Sequence, residues 1–180
     1  MSTTNGSIMT RAKHDEYDDV RRAFYDFLHL RILHLNGLVV DVSAVEYSLL
    51  EQAMDWENRR YLWDWFEIKR KFRNIPARFE LSVSVNGELC GLAIGKPSRG
   101  RRHVSIYFME GNPSSAHPLK GHVLPILLEG LALYGEALGC SYIRLIQPVA
   151  ELIPRYEQAG FSLATDKSHR LYCEKLLKRS

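Results

Sequence analysis

Apolar residues recur at helical spacing from Asp15 onward: Val20, Ala23, Phe24, Phe27, Leu28 and Leu30 gather on one side of a 3.6-residue repeat. That pattern predicts a first helix, closed by the turn dipeptide Asn36–Gly37. The run "LVVDV" (38–42) fits either a short strand or a plain connection. "SAVE" (43–46), Ser-x-x-Glu ahead of an apolar run, has the form of a capping box. It predicts a second helix reaching Asn74, where Pro76 disfavours further helix. The period then changes to two. "RFELSVSV" alternates, Asn86–Gly87 is the dipeptide of a type I′ hairpin, and "ELCGLAIG" returns as the partner strand. After the basic turn "KPSRGRR", the segment "HVSIYFME" predicts a third consecutive strand. The loop "GNPSSAHPLKGH" leads into a helix, "PILLEGLALYGEALG", stopped by Gly139, and then into the strand "SYIRLIQ". "ELIPRYEQAG" predicts a short helix, and "FSLATDKSHRLYCEKLL" one or two closing strands. Helices, an antiparallel meander, a strand–helix–strand crossover and a final strand make an α+β fold, with a mixed, mainly antiparallel sheet and helices on both faces.

Composition narrows the class. The 180 residues suit one domain, expected over 13–180 behind a flexible tail at 1–12, with a helical part at 13–75 and the sheet at 76–180. At 46% hydrophobic and 25% charged, wholesale disorder is excluded. The net charge of +3 permits an anionic partner without demanding one. No apolar run is long enough for a bilayer and the first residues form no secretory signal, so a cytoplasmic protein with no membrane partner is expected. Cys90, Cys140 and Cys173 are odd in number and widely spaced, which reads as reduced, buried thiols. His103, His117 and His122 lack ligand spacing, and no metal is expected.

Several residues have side chains suited to chemistry. "ENRRYLWDWFEIKRKFR" interleaves rings with Arg59, Arg60, Lys69, Arg70, Lys71 and Arg73, a combination that can grip phosphates and stack bases. Glu57, Asp64 and Glu67 dilute its field, so a nucleic-acid partner is allowed but not favoured. Leu62, Trp65, Phe66 and Phe72 form a core stripe in this reading, while Trp56, Tyr61 and Trp63 are surplus rings available to a substrate groove or partner surface. Glu110 ends the strand "HVSIYFME", where its carboxylate either takes a proton or is merely solvated. Phe108 shares a face with Glu110, and Met109 points to the other. Ser114 and Ser115 are loop hydroxyls that either position a substrate or serve the turn. Tyr156 is either a core ring or a proton donor.

From Phe79 to Phe161 the order of elements and three of their motifs resemble the GNAT acetyltransferase superfamily. They are the hairpin "FELSVSVNGELCGLAIG", the helix and strand "LLEGLALYGEALGCSYIRL", and the closing "YEQAGF". The resemblance implies a GNAT-like fold with a CoA-binding core at 76–180 and a substrate side at 13–75. It implies acetyl-CoA as acyl donor and direct transfer to a primary amine of a small molecule, a protein or an aminoacylated RNA. A homodimer is in keeping with the family. In the implied roles, Phe108 and Met109 lie along the acyl donor, Tyr156 protonates the departing sulfur, and Glu110 or a water takes the amine proton. One departure is clear. Where the family carries Gln/Arg-x-x-Gly-x-Gly/Ala in its phosphate-binding loop, this chain has Leu119, His122 and Leu124, with Gly121 one step off register. Such loops bind through backbone N–H groups, and Leu119, Lys120, Gly121, His122, Val123 and Leu124 all keep theirs. Pro125 is suited to a first helical position, which predicts a helix start there and a loop over 119–124, with Lys120 and His122 adding positive charge. Two alternatives stay beside the enzyme reading: a non-catalytic binding module on the same fold, and a GNAT-type toxin acetylating charged transfer RNA.

Overall fold

The computed structural model describes residues 3–178, with side chains from Arg11 onward. Its elements are α1 (Thr3–Asn36), β1 (Asp41–Ser43), α2 (Tyr47–Asp55), α3 (Trp65–Phe72), β2 (Phe79–Val85), β3 (Glu88–Pro97), β4 (His103–Gly111), α4 (Val123–Ala137), β5 (Tyr142–Ile146), α5 (Ile153–Gln158), β6 (Ser162–Thr165) and β7 (Leu171–Leu176). The strands form one sheet in the order β1-β2-β3-β4-β5-β7-β6. Only β4 and β5 run parallel among the described residues; the other neighbours are antiparallel. The α+β class and the mixed, mainly antiparallel sheet follow the sequence expectation. At the N-terminus, where a tail over 1–12 was expected, α1 extends from Thr3, and residues 1 and 2 lie outside the described residues.

Helices cover both faces. Phe24, Leu28 and Ile32 of α1 and Ile126, Leu127, Leu131 and Tyr134 of α4 pack against Leu81, Val83, Val104 and Ile143 of the sheet. On the opposite face, Leu50 and Ala53 of α2 and Trp65, Ile68 and Phe72 of α3 pack on Leu89, Leu92 and Ile94. Strand β3 is therefore buried on both sides. The predicted hairpin forms at Asn86 and Gly87, whose φ of 50° and 81° are the pair of positive values a type I′ turn needs.

The predicted helix over 43–74 is two helices. Ser43 lies in β1, with its hydroxyl 2.9 Å from that of Ser82, and Glu46 caps α2 with no side-chain bond. The chain leaves α2 at Trp56, passes through Asn58 at φ 57°, and restarts at Asp64. There the Asp64 carboxylate accepts the Glu67 N–H at 3.0 Å, so the side-chain cap forms at "DWFE", while α2 follows "SAVE" without a capping box. The buried stripe is Trp65, Ile68 and Phe72, whereas Leu62 is 92% exposed on the intervening loop and Phe66 is exposed as well.

One irregularity shapes the middle of the sheet. Gly95 pairs with Ile106 and Ile94 with Phe108, so β4 carries Tyr107 as an extra residue. A bulge of this kind bends its strand. The parallel pairing of β4 with β5 ends at the same place, at Ile106 opposite Leu145. Beyond it the two strands part. Gly95 makes the bulge feasible, because a Cβ there would lie 1.8 Å from the Ser105 carbonyl oxygen.

Candidate functional site

The parted strands leave a cavity of about 330 Å³, lined by Ile106, Tyr107, Phe108 and Met109 of β4, Leu145 and Ile146 of β5, and the segment Gln147–Val149 that follows. Tyr156 of α5 closes it on one side, and Tyr61 and Trp63 of the α2–α3 loop on the other. The gap thus passes through the sheet. The extra residue at the bulge leaves the ladder locally disrupted beside the opening. Gln147 holds a φ of 50°, an uncommon conformation for a side chain of its size, at the rim of the same gap.

Tyr156 is almost wholly buried at 2% exposure, and its ring meets Phe161 edge to face at 6.4 Å. Its hydroxyl has no protein hydrogen-bond partner among the described residues. Burial, then the nearby Cys173, push its pKa up to about 12. The phenol therefore keeps its proton throughout the neutral range.

Glu110 is placed differently from the sequence expectation of a proton acceptor at the strand end. It shares a face with Phe108, as alternation requires, but α3 covers that face. Its carboxylate accepts two bonds from Arg59, Nε and Nη2 each at 2.9 Å, and one from the Trp65 indole N–H at 2.6 Å. Both members of the Arg59–Glu110 pair are buried. Arg59 also donates to the Trp63 carbonyl at 2.9 Å, so this ion pair ties down the loop that carries Tyr61 and Trp63. Those two rings stack at 4.7 Å, and Trp63 in turn meets Phe108 edge to face at 5.4 Å. Sequence reasoning missed Arg59 as anything but a surface cation. Its position within a ring-rich segment was the only signal.

Of the other expected site residues, Phe108, Met109, Tyr61 and Trp63 come together at the gap, whereas Trp56 packs into the α2–α3 core. Ser114 and Ser115 are exposed, and the Ser114 hydroxyl accepts the Ala116 N–H at 3.2 Å, which is turn chemistry.

Helix α4 starts at Val123, two residues ahead of the predicted Pro125 start, and the proline sits in the first turn, where its missing N–H breaks no helical bond. Three of the six loop amides are used internally. Leu119 N–H donates to His117 Nδ1 (3.2 Å), Lys120 N–H to the His117 carbonyl (3.3 Å) and His122 N–H to the Leu119 carbonyl (2.9 Å). Burial lowers the His117 pKa, consistent with a neutral ring accepting at Nδ1. The side chain of Leu119 is in the core, while Lys120 and His122 are exposed. Gly121, Val123 and Leu124 keep N–H groups with no partner among the described residues, and no side chain caps the helix. Gly121 has a φ of 83°, and the space where a Cβ would stand is open. Together these amides make a helix start able to receive an anion.

Among the described residues no three His, Cys, Asp or Glu side chains gather as metal ligands, and no helix is long and apolar enough to cross a membrane.

No family model and no curated protein matches the chain. Solved structures do. The ribosomal-protein-S18-alanine N-acetyltransferase of Escherichia coli is 19% identical over 78% of this chain and 96% of its own, with a TM-score of 0.58. Ard1 of Thermoplasma volcanium is 14% identical over 79% of this chain and 100% of its own, at 0.57. The PaiA N-acetyltransferase of Thermoplasma acidophilum, solved with coenzyme A, is 13% identical over 77% and 99%, at 0.53. At such identities the likeness is one of fold.

Proposed function

The chain has the fold of the GNAT N-acetyltransferases, and from that premise we propose that it is an acyl-CoA-dependent N-acyltransferase acting on a primary amine. The observation that carries the reading is the parting of β4 from β5 at a bulge, in a gap closed by the buried Tyr156. Acetyl-CoA supplies the acetyl group and leaves as a thiol.

This chain's residues divide the remaining work. The free amides of Gly121, Val123 and Leu124 hold phosphate at the start of α4, a task for backbone donors that the missing family glycines do not remove. The aromatic and aliphatic walls of the gap exclude water and keep the reacting groups aligned. A backbone N–H at the bulge polarises the acyl carbonyl. Tyr156 gives its proton to the sulfur as the bond breaks. Glu110, engaged by Arg59 and Trp65, acts as a positioning group for the Tyr61–Trp63 loop and not as the base. No Asp, Glu or His lines the gap, so the amine enters uncharged or releases its proton to water. Tyr61 and Trp63 form the acceptor-side wall.

A second reading, a non-catalytic module on the same fold, draws on the three loop amides that are already satisfied. Thiol release from acetyl-CoA in the presence of an amine panel separates the two. Amine-dependent release that Tyr156→Phe reduces supports the enzyme. Acetyl-CoA binding with no release for any amine supports the module.

A further inference from the structure

Lys96 pairs with Ser105, Ser105 with Arg144, and Arg144 with Glu174, which makes one rung across β3, β4, β5 and β7. Residues paired in this way point to the same face and lie within reach of one another. Val104 and Ile106 turn toward α1 and α4, so Ser105 and its rung occupy the opposite face. There α2 and α3 pack against β3 around Leu89, Leu92 and Ile94, and the rung lies past them, with Lys96, Arg144 and Glu174 only half-buried.

Two features of the rung call for a ligand. Among the described residues, the only buried side-chain polar atoms without a partner are Ser105 Oγ and His103 Nδ1, neighbours on one face of β4. Native structures leave few such atoms, and each needs a reason. The rung also carries two cations and one carboxylate. Arg144 is paired with Glu174 and stacked 4.3 Å over the Tyr172 ring. Lys96 has no carboxylate partner among the described residues; its ammonium stands 5.6 Å from the centroid of Tyr107. Tyr107 lines the gap, two residues from Ser105, or about 7 Å along a strand.

We propose that Lys96, Ser105 and Arg144 recognise an oxyanion, a carboxylate or phosphate, carried by the acceptor a few bonds from its reacting amine. A hydroxyl donor between two cations is a donor set for such a group. The ligand's identity as acceptor rests on the N-acyltransferase reading; its charge rests on the rung alone.

The test uses the full chain and two readouts. In thermal unfolding with saturating coenzyme A, which occupies the start of α4, inorganic phosphate should raise the Tm of the wild type and have much less effect on Lys96→Met and Ser105→Ala. An equal rise in all three proteins overturns the proposal. In acetyl transfer, matched pairs of acceptors are compared: aspartyl against asparaginyl dipeptides, and phosphoethanolamine against ethanolamine. The anionic member should have a kcat/KM higher by about tenfold or more, the scale of one charge-assisted contact, and Lys96→Met should erase the difference. The two pairs tell carboxylate from phosphate. Transfer with no preference for the anionic member overturns the oxyanion site and leaves the enzyme standing. An intact, Lys96-dependent phosphate response without any transfer supports the anion site and removes the enzyme.

Discussion

Tyr156 and Glu110 differ in what burial has done to them. The Tyr156 ring is buried and its hydroxyl, which faces the gap, takes no hydrogen bond from the described residues, so desolvation raises its pKa; the carboxylate is buried with Arg59 and Trp65, so its charge is balanced in place. Tyr156→Phe should lower kcat by about a hundredfold, the lower end of general-acid effects, with acetyl-CoA affinity unchanged. Equal turnover by the variant would remove the assignment. Because the Tyr156 pKa is raised to about 12, its proton stays on across the working range, and activity should not fall through its ionisation below about pH 10. The rise of kcat/KM with pH should instead follow the acceptor amine, near 8 for an α-amino group and about 10.4 for a lysine. An inflection that stays at one pH for acceptors of different basicity would point to a base in the protein. Arg59→Met strands the Glu110 charge and should cost about 3–5 kcal/mol in urea unfolding. Adding Glu110→Gln, which removes the charge but keeps an acceptor for Trp65, should recover part of that loss. A double variant no more stable than Arg59→Met would contradict the pairing.

At the scale of elements, the bulge in β4 and the break between α2 and α3 together make the gap. Gly95→Ala places a Cβ against the Ser105 carbonyl and should cost about 1–3 kcal/mol or more, as overpacking does; unchanged stability would mean that the bulge is not needed. The hairpin, the crossover and the last helix were legible in the chain, because Asn86–Gly87 and the change of period are local signals. The helix break was not, since both halves favour helix. The loop between them is held by Arg59 reaching Glu110, a partner 51 residues away that no local pattern announces. The bulge left only a trace, the loss of alternation across Ile106, Tyr107, Phe108 and Met109. The 119–124 loop was legible as a possible set of donors, but its use of His117 to satisfy Leu119 and Lys120 depends on how His117 folds under it.

Over the whole molecule, charge is buried in pairs on the α2–α3 side of the sheet. Glu80 meets Lys69 at 2.7 Å and Arg78 at 2.5 Å. Burial alone would raise its pKa, but the two cations outweigh burial and hold it below the usual carboxylate range. A depressed folded-state value means stability that is complete above the unfolded pKa and lost as pH falls through the folded one. Glu80→Gln should therefore be less stable than the wild type at pH 7, with the deficit shrinking below about pH 4; a constant deficit would contradict the linkage. The same fold carries the gap and the free amides at the start of α4, and the transfer proposed for them presupposes the acyl donor. Calorimetric titration of the full chain with acetyl-CoA tests that most directly. Saturable binding at one site per chain in the micromolar range, weakened by Gly121→Pro, is the expected result. The absence of saturable heat up to high micromolar acetyl-CoA would contradict the account.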